Sequence, residues 1–222
     1  MQPWTPARYW EAIHTERARL LTDLEGLTEA QWSTPSLCHR WTVEDVVAHL
    51  TAAATTGRWA WLRSIVGARL DPAVHNDRRL AERRGRTPAQ TLEAFRAVVT
   101  ARTAPTGDLW AWLGEVVVHA TDIREPLGIS SVPATAAVAA VAQGYAGKNF
   151  AVESRTVARD LRLVAHDSEF RAGAGPTVEG TTLDLVLAMA GRPSAAARLT
   201  GDGAPTLVAR VAAAAPGASG AR

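Results

Sequence analysis

LGEVVVHATDIREPLG, residues 113–128, places a glutamate and a histidine four residues apart among valines. The spacing predicts a helix on which Glu115 and His119 share one face. Asp122 follows His119 by three residues and Trp112 precedes Glu115 by three, so one stripe carries all four side chains. Burying a carboxylate and an imidazole in a helical core without partners costs free energy. A divalent cation would remove that cost, because both groups are ligands for zinc, iron or nickel.

A metal site needs a third ligand, and His49 is the best candidate. It lies in WTVEDVVAHL, residues 41–50, where Thr42 and Asp45 predict the capping box of a second helix. Sites in helical bundles are assembled from side chains on facing helices, and two histidines with one carboxylate leave coordination positions open, as in catalytic sites. The alternative is a surface pair, since glutamate and histidine often occur four residues apart by chance. Spacing alone leaves both interpretations open.

The composition is typical of a globular protein with one large or two small domains. Apolar residues make up 47% of the 222 residues, and the formal net charge of +2 gives no argument for a nucleic-acid partner. The single cysteine, Cys38, excludes an intramolecular disulfide. The sequence shows no secretory signal pattern and no apolar run long enough to span a bilayer. We therefore expect a cytoplasmic protein with no membrane partner.

Helical segments in the first half of the chain predict an antiparallel four-helix bundle. The segments share N-terminal capping signals and apolar residues at helical spacing. They are expected at about residues 5–25, 42–70, 87–102 and 107–126. The polar segment at residues 71–86, with five arginines, is typical of a loop. A fifth helix is expected at about residues 133–150, packed against the bundle or leading onward.

The second half of the chain predicts a small unit that mixes strands and helices. All eight tryptophans lie between residues 4 and 112, and after residue 128 the chain becomes rich in alanine, valine, glycine and proline. Strands are expected in DLRLVAHD (160–167), EFRAGA (169–174) and PTVEGT (176–181), a helix in TLDLVLAMAGR (182–192), and a last strand at the end of RLTGDGAPTLVARV (198–211).

Three segments in order resemble the mycothiol-dependent maleylpyruvate isomerase family, part of the DinB-like metal-binding superfamily. They are LCHRWTVEDVVAHL (37–50), EVVVHATDIREPLG (115–128) and GTTLDLVLAMAGRPSAAARLTGDG (180–203). The resemblance implies a mainly α fold, a DinB-like four-helix bundle followed by a small α+β C-terminal domain. The expected domains are a metal-binding helical bundle at residues 1–150, the α+β domain at residues 151–212 and a disordered tail at residues 213–222.

The resemblance also implies a metal site and a thiol cosubstrate. The family's metal-binding histidine and its glutamate–histidine pair match His49, Glu115 and His119. The implied metal is divalent, most often zinc, and the implied cosubstrate is mycothiol. The characterised family activity is cis–trans isomerisation of maleylpyruvate, and other relatives are thought to transfer the thiol to electrophiles. Because a divalent cation deprotonates a thiol, a metal-bound thiolate would attack a small electrophile. We therefore expect a mycothiol-dependent isomerase or S-transferase, as a monomer or homodimer.

Two more residues are candidates for catalytic roles. Asp122 would fix the tautomer of a ligand histidine, or alternatively cap the helix end or pair with Arg124. The family uses an arginine of the C-terminal domain near the active site, and a guanidinium group binds carboxylates bidentately. Arg192 is the first candidate and Arg198 the second, with a solvated surface arginine as the alternative for each.

Cys38 is expected to be a small buried residue, with a nucleophile as the alternative. Trp41 is expected to lie in the core. Two other functions remain open at this point. One is a non-catalytic module that binds a metal or a thiol. The other is a metal-dependent hydrolase on the same bundle, in which water takes the place of the thiol.

Overall fold

The computed structural model describes residues 4–38, 41–57, 80–150 and 152–214. The chain divides into two compact units, residues 1–132 and residues 133–222. Helices dominate, and the strands form one small three-stranded sheet in the second unit. The predicted fold class, a helical bundle followed by a small α+β unit, is confirmed. Within the described ranges, no helix is long and apolar enough to cross a bilayer.

The first unit is a bundle of helices near the predicted positions. Its helices are α1 (Pro6–Glu25), α2 (Glu29–Trp32), α3 (Val43–Thr55), α4 (Pro88–Arg96) and α5 (Leu109–Leu127). Helices α1 and α3 each pack against both α4 and α5. The core between them is formed by large apolar side chains that are almost fully buried, among them Leu20, Leu24, Val46, Leu50, Phe95 and Ile123.

Two helices end earlier than their sequence patterns predicted. The capping box of Thr42 and Asp45 opens α3 as expected, but the backbone becomes extended at Thr56, so a helix to about residue 70 is wrong. Residues 58–79 lie outside the described ranges. Helix α4 ends at Arg96 rather than near residue 102, and turns with shorter hydrogen-bond spacing follow it. The buried guanidinium of Arg17 donates to the carbonyls of Val98 and Ala101, which stabilises this non-helical ending.

The arginine-rich segment was predicted to be a loop, and only residues 80–86 of it are described. Residues 80–83 are helical, which differs from the prediction. Arg84 then lies 2.8 Å from Glu44 and 2.7 Å from Asp45, both in the first turn of α3. Thr91 of α4 donates a further hydrogen bond to Glu44. These contacts tie the chain before α4 to the start of α3.

The second unit combines a mixed sheet with helices. Its elements are α6 (Thr135–Gly147), α7 (Ser154–Val157), β1 (Arg162–Ala165), β2 (Arg171–Ala172), β3 (Thr177–Gly180), α8 (Thr182–Met189), α9 (Pro193–Ala196) and α10 (Ala204–Ala214). Strand β1 is central, antiparallel to β2 and parallel to β3. Leu163 on β1 is paired with Ala172 on one side and with Val178 on the other.

The second unit departs from the sequence prediction in two places. Helix α6 belongs to it, because α6 packs against α8, so the division falls after Val132 and not at residue 150. The expected last strand is wrong, since Ala204–Ala214 is a helix. Its buried residues Ala204, Leu207 and Val211 recur every three or four positions, which fits a helix and not a strand. The rest of the expected tail, residues 215–222, lies outside the described ranges.

Candidate metal centre

Helix α5 carries three of the predicted site residues on one face. The helix ends at Gly128, whose φ of 66° is the left-handed conformation that favours glycine at a C-cap. Glu115 and His119 lie one turn apart, and Asp122 follows in the next turn. The stripe predicted from the spacing is therefore present on a regular helix.

Helix α3 brings His49 to the same place. His49 Nε2 lies 3.1 Å from Glu115 Oε2, and His119 Nε2 lies 3.4 Å from that oxygen. The imidazole rings of His49 and His119 meet edge to face, with centroids 4.9 Å apart. One donor atom from each of the three side chains lies within 4.8 Å of the others, so together they could hold a metal ion. The structure thus brings the three predicted residues together, and metal binding itself stays a prediction.

Asp122 contacts this cluster through the imidazole of His119. Its side chain is fully buried, and Oδ2 lies 2.9 Å from Nδ1 of His119. A carboxylate at this distance accepts a hydrogen bond from Nδ1–H and leaves the lone pair of Nε2 in the same ring available to a metal ion. Arg124, proposed as an alternative partner, pairs with Asp23 of α1 at 2.7 Å. Asp122 is therefore placed to orient His119.

The cluster is an unusual concentration of titratable groups. Burial by itself would raise the pKa of the Glu115 carboxyl, but the hydrogen bonds and positive charge of His119 and His49 lower it well below its usual range. Burial likewise disfavours the charged form of His119, yet contacts with Asp122, Cys38 and Glu115 raise the pKa of that imidazole. The two carboxylates favour a positive charge at this point, which a proton or a cation could supply.

The donor side chains are not sealed from solvent. The exposed fractions of the side chains are 11% for His49, 12% for His119 and 21% for Glu115, against none for Asp122. The carboxylate that contacts both imidazoles is thus the most accessible of the four groups. This pattern fits a site that a small molecule can approach from the side of Glu115.

A family model of the mycothiol maleylpyruvate isomerase N-terminal domain matches residues 13–124, half of the chain. The chain belongs to this family. The matched range includes Asp122 and the three candidate metal ligands, His49, Glu115 and His119. A search of the curated proteins found no match.

Two solved structures share the fold of this chain. Both are crystal structures of the mycothiol-dependent maleylpyruvate isomerase, one of them a variant with a histidine replaced by alanine. The sequence identity is 17% for the variant and 18% for the other structure, and each superposes with a TM-score of 0.56. In each case the alignment covers 90% of this chain and 93% of the other. The likeness extends over both units and supports the fold.

Sequence reasoning assigned Trp41 to the core and missed its place beside the metal candidates. Its ring centroid lies 4.9 Å from that of His49 and 6.4 Å from that of His119. A signal was available, because Trp41 precedes the N-cap residue Thr42. A residue at this position packs over the helix position of Val46, and His49 lies one turn beyond on the same face.

Cys38 is also closer to the cluster than expected for a core residue. It is partly exposed, and its sulfur groups with a nitrogen of His119 and a carboxylate oxygen of Asp122 within 4.8 Å. The segment that carries Cys38 is hydrogen-bonded to α5 at a carbonyl that Pro126 leaves without its usual helical partner. Proline has no N–H to donate to the carbonyl of Asp122 one turn earlier, and the N–H of Leu37 donates to that carbonyl instead.

The two arginine candidates lie in the second unit, apart in sequence from the matched family domain. Arg192 is the residue before α9, and its guanidinium donates to the carbonyl of Ala190 at 2.6 Å. Arg198 pairs with Asp184 at 2.7 Å. A catalytic role of Arg192 stays a prediction.

Proposed function

We propose that the chain is a metal-dependent enzyme that uses mycothiol to act on a small electrophile, as a maleylpyruvate-type isomerase or as an S-transferase. The single observation that carries the proposal is the meeting of His49, Glu115 and His119, donated by two helices within the matched family domain. The similar solved structures are of a mycothiol-dependent isomerase, which supports the choice of thiol.

The donor set fits a divalent cation such as zinc. Two imidazole nitrogens and one carboxylate oxygen are the ligand types of catalytic zinc sites with an open position. Ligand atoms at zinc-bonding distance in a tetrahedron lie about 3.3–3.6 Å from one another. The distances from Glu115 Oε2 to His49 Nε2 and His119 Nε2, 3.1 Å and 3.4 Å, are close to that spacing. The partial exposure of Glu115 supports access for a further ligand.

A divalent cation bound there would favour the thiolate form of mycothiol, which is the nucleophilic form of a thiol. The protein's own groups prepare the site for this role. Asp122 holds Nδ1 of His119, so Nε2 faces the Glu115 carboxylate. The indole ring of Trp41 packs against the imidazole of His49, with centroids 4.9 Å apart. These contacts fix the donor atoms before any ligand binds.

Addition of the thiolate to a conjugated double bond would allow rotation about the former double bond, and elimination of the same thiol would complete an isomerisation. In a transferase the carbon–sulfur bond would remain. Both outcomes need the same site, so the geometry supports the class of reaction rather than one substrate. We propose Arg192 as the group that binds an anionic part of the electrophile, since its guanidinium can bind a carboxylate.

The decisive experiment measures mycothiol consumption and product formation for a panel of electrophiles that includes maleylpyruvate. We expect turnover that requires mycothiol, is lost after chelation and returns when zinc is added. Turnover without any thiol would overturn the proposal in favour of a hydrolase. Full metal occupancy with neither thiol consumption nor mycothiol-dependent isomerisation across the panel would overturn it in favour of a binding module. His166→Ala, which alters an exposed pair with Glu179, is the matched control and should keep full activity.

A further inference from the structure

A cleft of about 460 Å³ lies within the second unit, formed between the end of α6, α7, and strands β1 and β2. This volume falls in the range of small-molecule sites. No function described above uses the cleft, and none of the motifs that carry the family resemblance contributes to it. It is therefore a separate feature of the molecule that needs its own explanation.

The lining of the cleft divides into an apolar part and a charged rim. Three partly exposed alanines, Ala146, Ala158 and Ala172, supply apolar surface, whereas Arg155 and Arg159 stand exposed at the rim. Such a lining suits a small molecule with an apolar body and a negatively charged end. Two guanidinium groups can each donate two hydrogen bonds to a carboxylate.

The two arginines are available for a ligand. Among the described residues, none pairs with the guanidinium of Arg155. Arg159 meets only Asp160 in the described contacts of its side chain, at 3.5 Å, and both side chains are more than 70% exposed. A pair so exposed contributes little free energy and can open at small cost. Two carboxylates lie close by: Asp160, and Glu153, which accepts hydrogen bonds from the cleft residues Asn149 and Thr156. They offset the charge of the two arginines, which favours a monoanion such as a carboxylate over a more highly charged anion.

The wall that carries the arginines is held in place from both ends. The side-chain oxygen of Asn149 accepts hydrogen bonds from the amides of Arg155 and Thr156, at 2.8 Å and 3.1 Å. At the other end, the guanidinium of Arg210 donates to the carbonyls of Val157 and Arg159. A ligand would therefore meet a wall that is already ordered, which lowers the entropic cost of binding.

The floor of the cleft depends on two residues with positive φ. Asp160 has a φ of 59° and is the one non-glycine residue with positive φ in the described part of the chain. Gly173 has a φ of 75°, and a Cβ there would overlap the carbonyl oxygen of Leu161.

We propose that this cleft binds a small organic carboxylate, with the apolar body on the three alanines and the carboxylate between Arg155 and Arg159. The proposal goes beyond the proposed function, because it concerns a second ligand site and holds whether or not the first unit binds a metal.

The test is a titration of the full chain with phenylacetate, followed by backbone amide signals in NMR. We expect saturable changes at residues 155–161 and 172–173. The neutral analogue phenylacetamide should bind at least about tenfold more weakly, because it lacks the charge-assisted hydrogen bonds. Arg155→Gln and Arg159→Gln should each weaken phenylacetate binding several-fold, whereas Arg162→Gln, an exposed arginine of β1 outside the cleft, should not.

Ala172→Leu is a second variant that fills the cleft without changing its charge, and it should abolish binding. Thermal unfolding of each variant shows whether the fold is retained, and only folded variants are compared. Equal affinity for the acid and the amide would overturn the proposal. So would signal changes confined to other parts of the chain, or an unaltered affinity in both folded arginine variants.

Discussion

Asp122 shows at the scale of a single residue how a buried carboxylate can prepare a site that it does not enter. It is fully buried, yet its charge is matched by the imidazole of His119 at 2.9 Å. The contact fixes which ring nitrogen carries the proton and therefore which nitrogen is free to bind a cation. The three-residue spacing on one helix made this contact predictable, because residues three apart share a helix face.

Replacing Asp122 by asparagine tests this role with little change of shape. The amide can present either an oxygen or an N–H to His119 and carries no negative charge, so the orientation of the ring is less fixed. We expect the affinity for zinc to fall about 10- to 100-fold, as for other carboxylates that support metal-binding histidines. A competition titration against a chromogenic chelator measures the affinity. Asp160→Asn is the control, and equal affinities in the two variants would contradict the role of Asp122.

At the scale of elements, α3 is held to the chain before α4 by a small network of charged groups. Arg84 bridges Glu44 and Asp45, two carboxylates that are less than 10% exposed, and Thr91 hydrogen-bonds to Glu44. His49 follows Asp45 by one turn. The network therefore also fixes the start of the helix that carries this candidate metal ligand. The sequence predicted the capping box but not the arginine, since the partners lie about 40 residues apart.

Arg84→Ala should lower the free energy of unfolding by about 1–3 kcal/mol, because it leaves two buried carboxylates with fewer partners. Arg84→Lys should recover only part of the loss, since an ammonium group cannot bind both carboxylates in the fork geometry of arginine. Urea denaturation measures both effects. The neighbouring Arg83 is exposed, and Arg83→Ala should change stability little. A result in which the two alanine variants are equally stable would refute the network as a stabilising element.

A second element-scale feature is the start of α8, where Asp167, in the loop between β1 and β2, accepts hydrogen bonds from the first helical residue. Its Oδ1 accepts from the amide and the hydroxyl of Thr182, at 2.7 Å and 2.6 Å. Partial burial acts to raise the pKa of the Asp167 carboxyl, but these hydrogen bonds outweigh it and lower the pKa. A lowered pKa means that the stabilisation is present above the unfolded-state value and is lost as the pH falls through the folded-state value.

Asp167→Asn should therefore destabilise the chain by about 1 kcal/mol at neutral pH, because a neutral amide oxygen accepts weaker hydrogen bonds from Thr182 than a carboxylate does. The difference between the two proteins should shrink as the pH falls below about 4, the ordinary pKa of aspartate. Thermal unfolding over a pH series measures this difference. Glu169→Gln changes an exposed carboxylate in the same loop and provides the baseline. A constant difference between wild type and Asp167→Asn at every pH would exclude the carboxylate as the source.

At the scale of the whole molecule, the division into two units depends on where α6 packs. Residues Ala137–Ala142 of α6 are all buried, and the helix contacts α8 of the second unit. A helix that is apolar on every side gives no amphipathic direction, so its sequence could not show which unit it joins. The strand predicted near the C-terminus fails for a related reason. The run TLVAR is rich in strand-forming residues, and only the buried spacing of Leu207 and Val211 identifies the helix.

The division predicts how fragments of the chain behave. A fragment of residues 133–222 retains α6 and should fold cooperatively, whereas a fragment of residues 151–222 leaves the buried side of α8 exposed and should not. Circular dichroism and thermal unfolding of the two fragments distinguish these outcomes. Cooperative unfolding of the shorter fragment with equal stability would contradict the assignment of α6 to the second unit.

Only part of the arrangement of the candidate metal ligands could be predicted from the sequence. The spacing of Glu115 and His119 identified two donors on one helix, but His49 lies 66 residues from Glu115, and only packing brings it to 3.1 Å. The helical pattern around the Thr42 capping box made His49 the best candidate for the third donor, and the family resemblance matched the same residue. Trp41 and Cys38 were placed in the core, because a sequence pattern shows that a side chain is buried and not which polar group it is buried against.

The most direct test of the central claim is the metal content of the purified full chain after zinc loading and removal of free metal. We predict about one zinc per chain in the wild type, as expected for a three-donor site with one ion. His49→Ala, Glu115→Gln and His119→Ala should each lose most of that zinc while remaining folded, and His166→Ala should retain it. A folded His49→Ala variant that still binds stoichiometric zinc would contradict the claim that these three residues form the site.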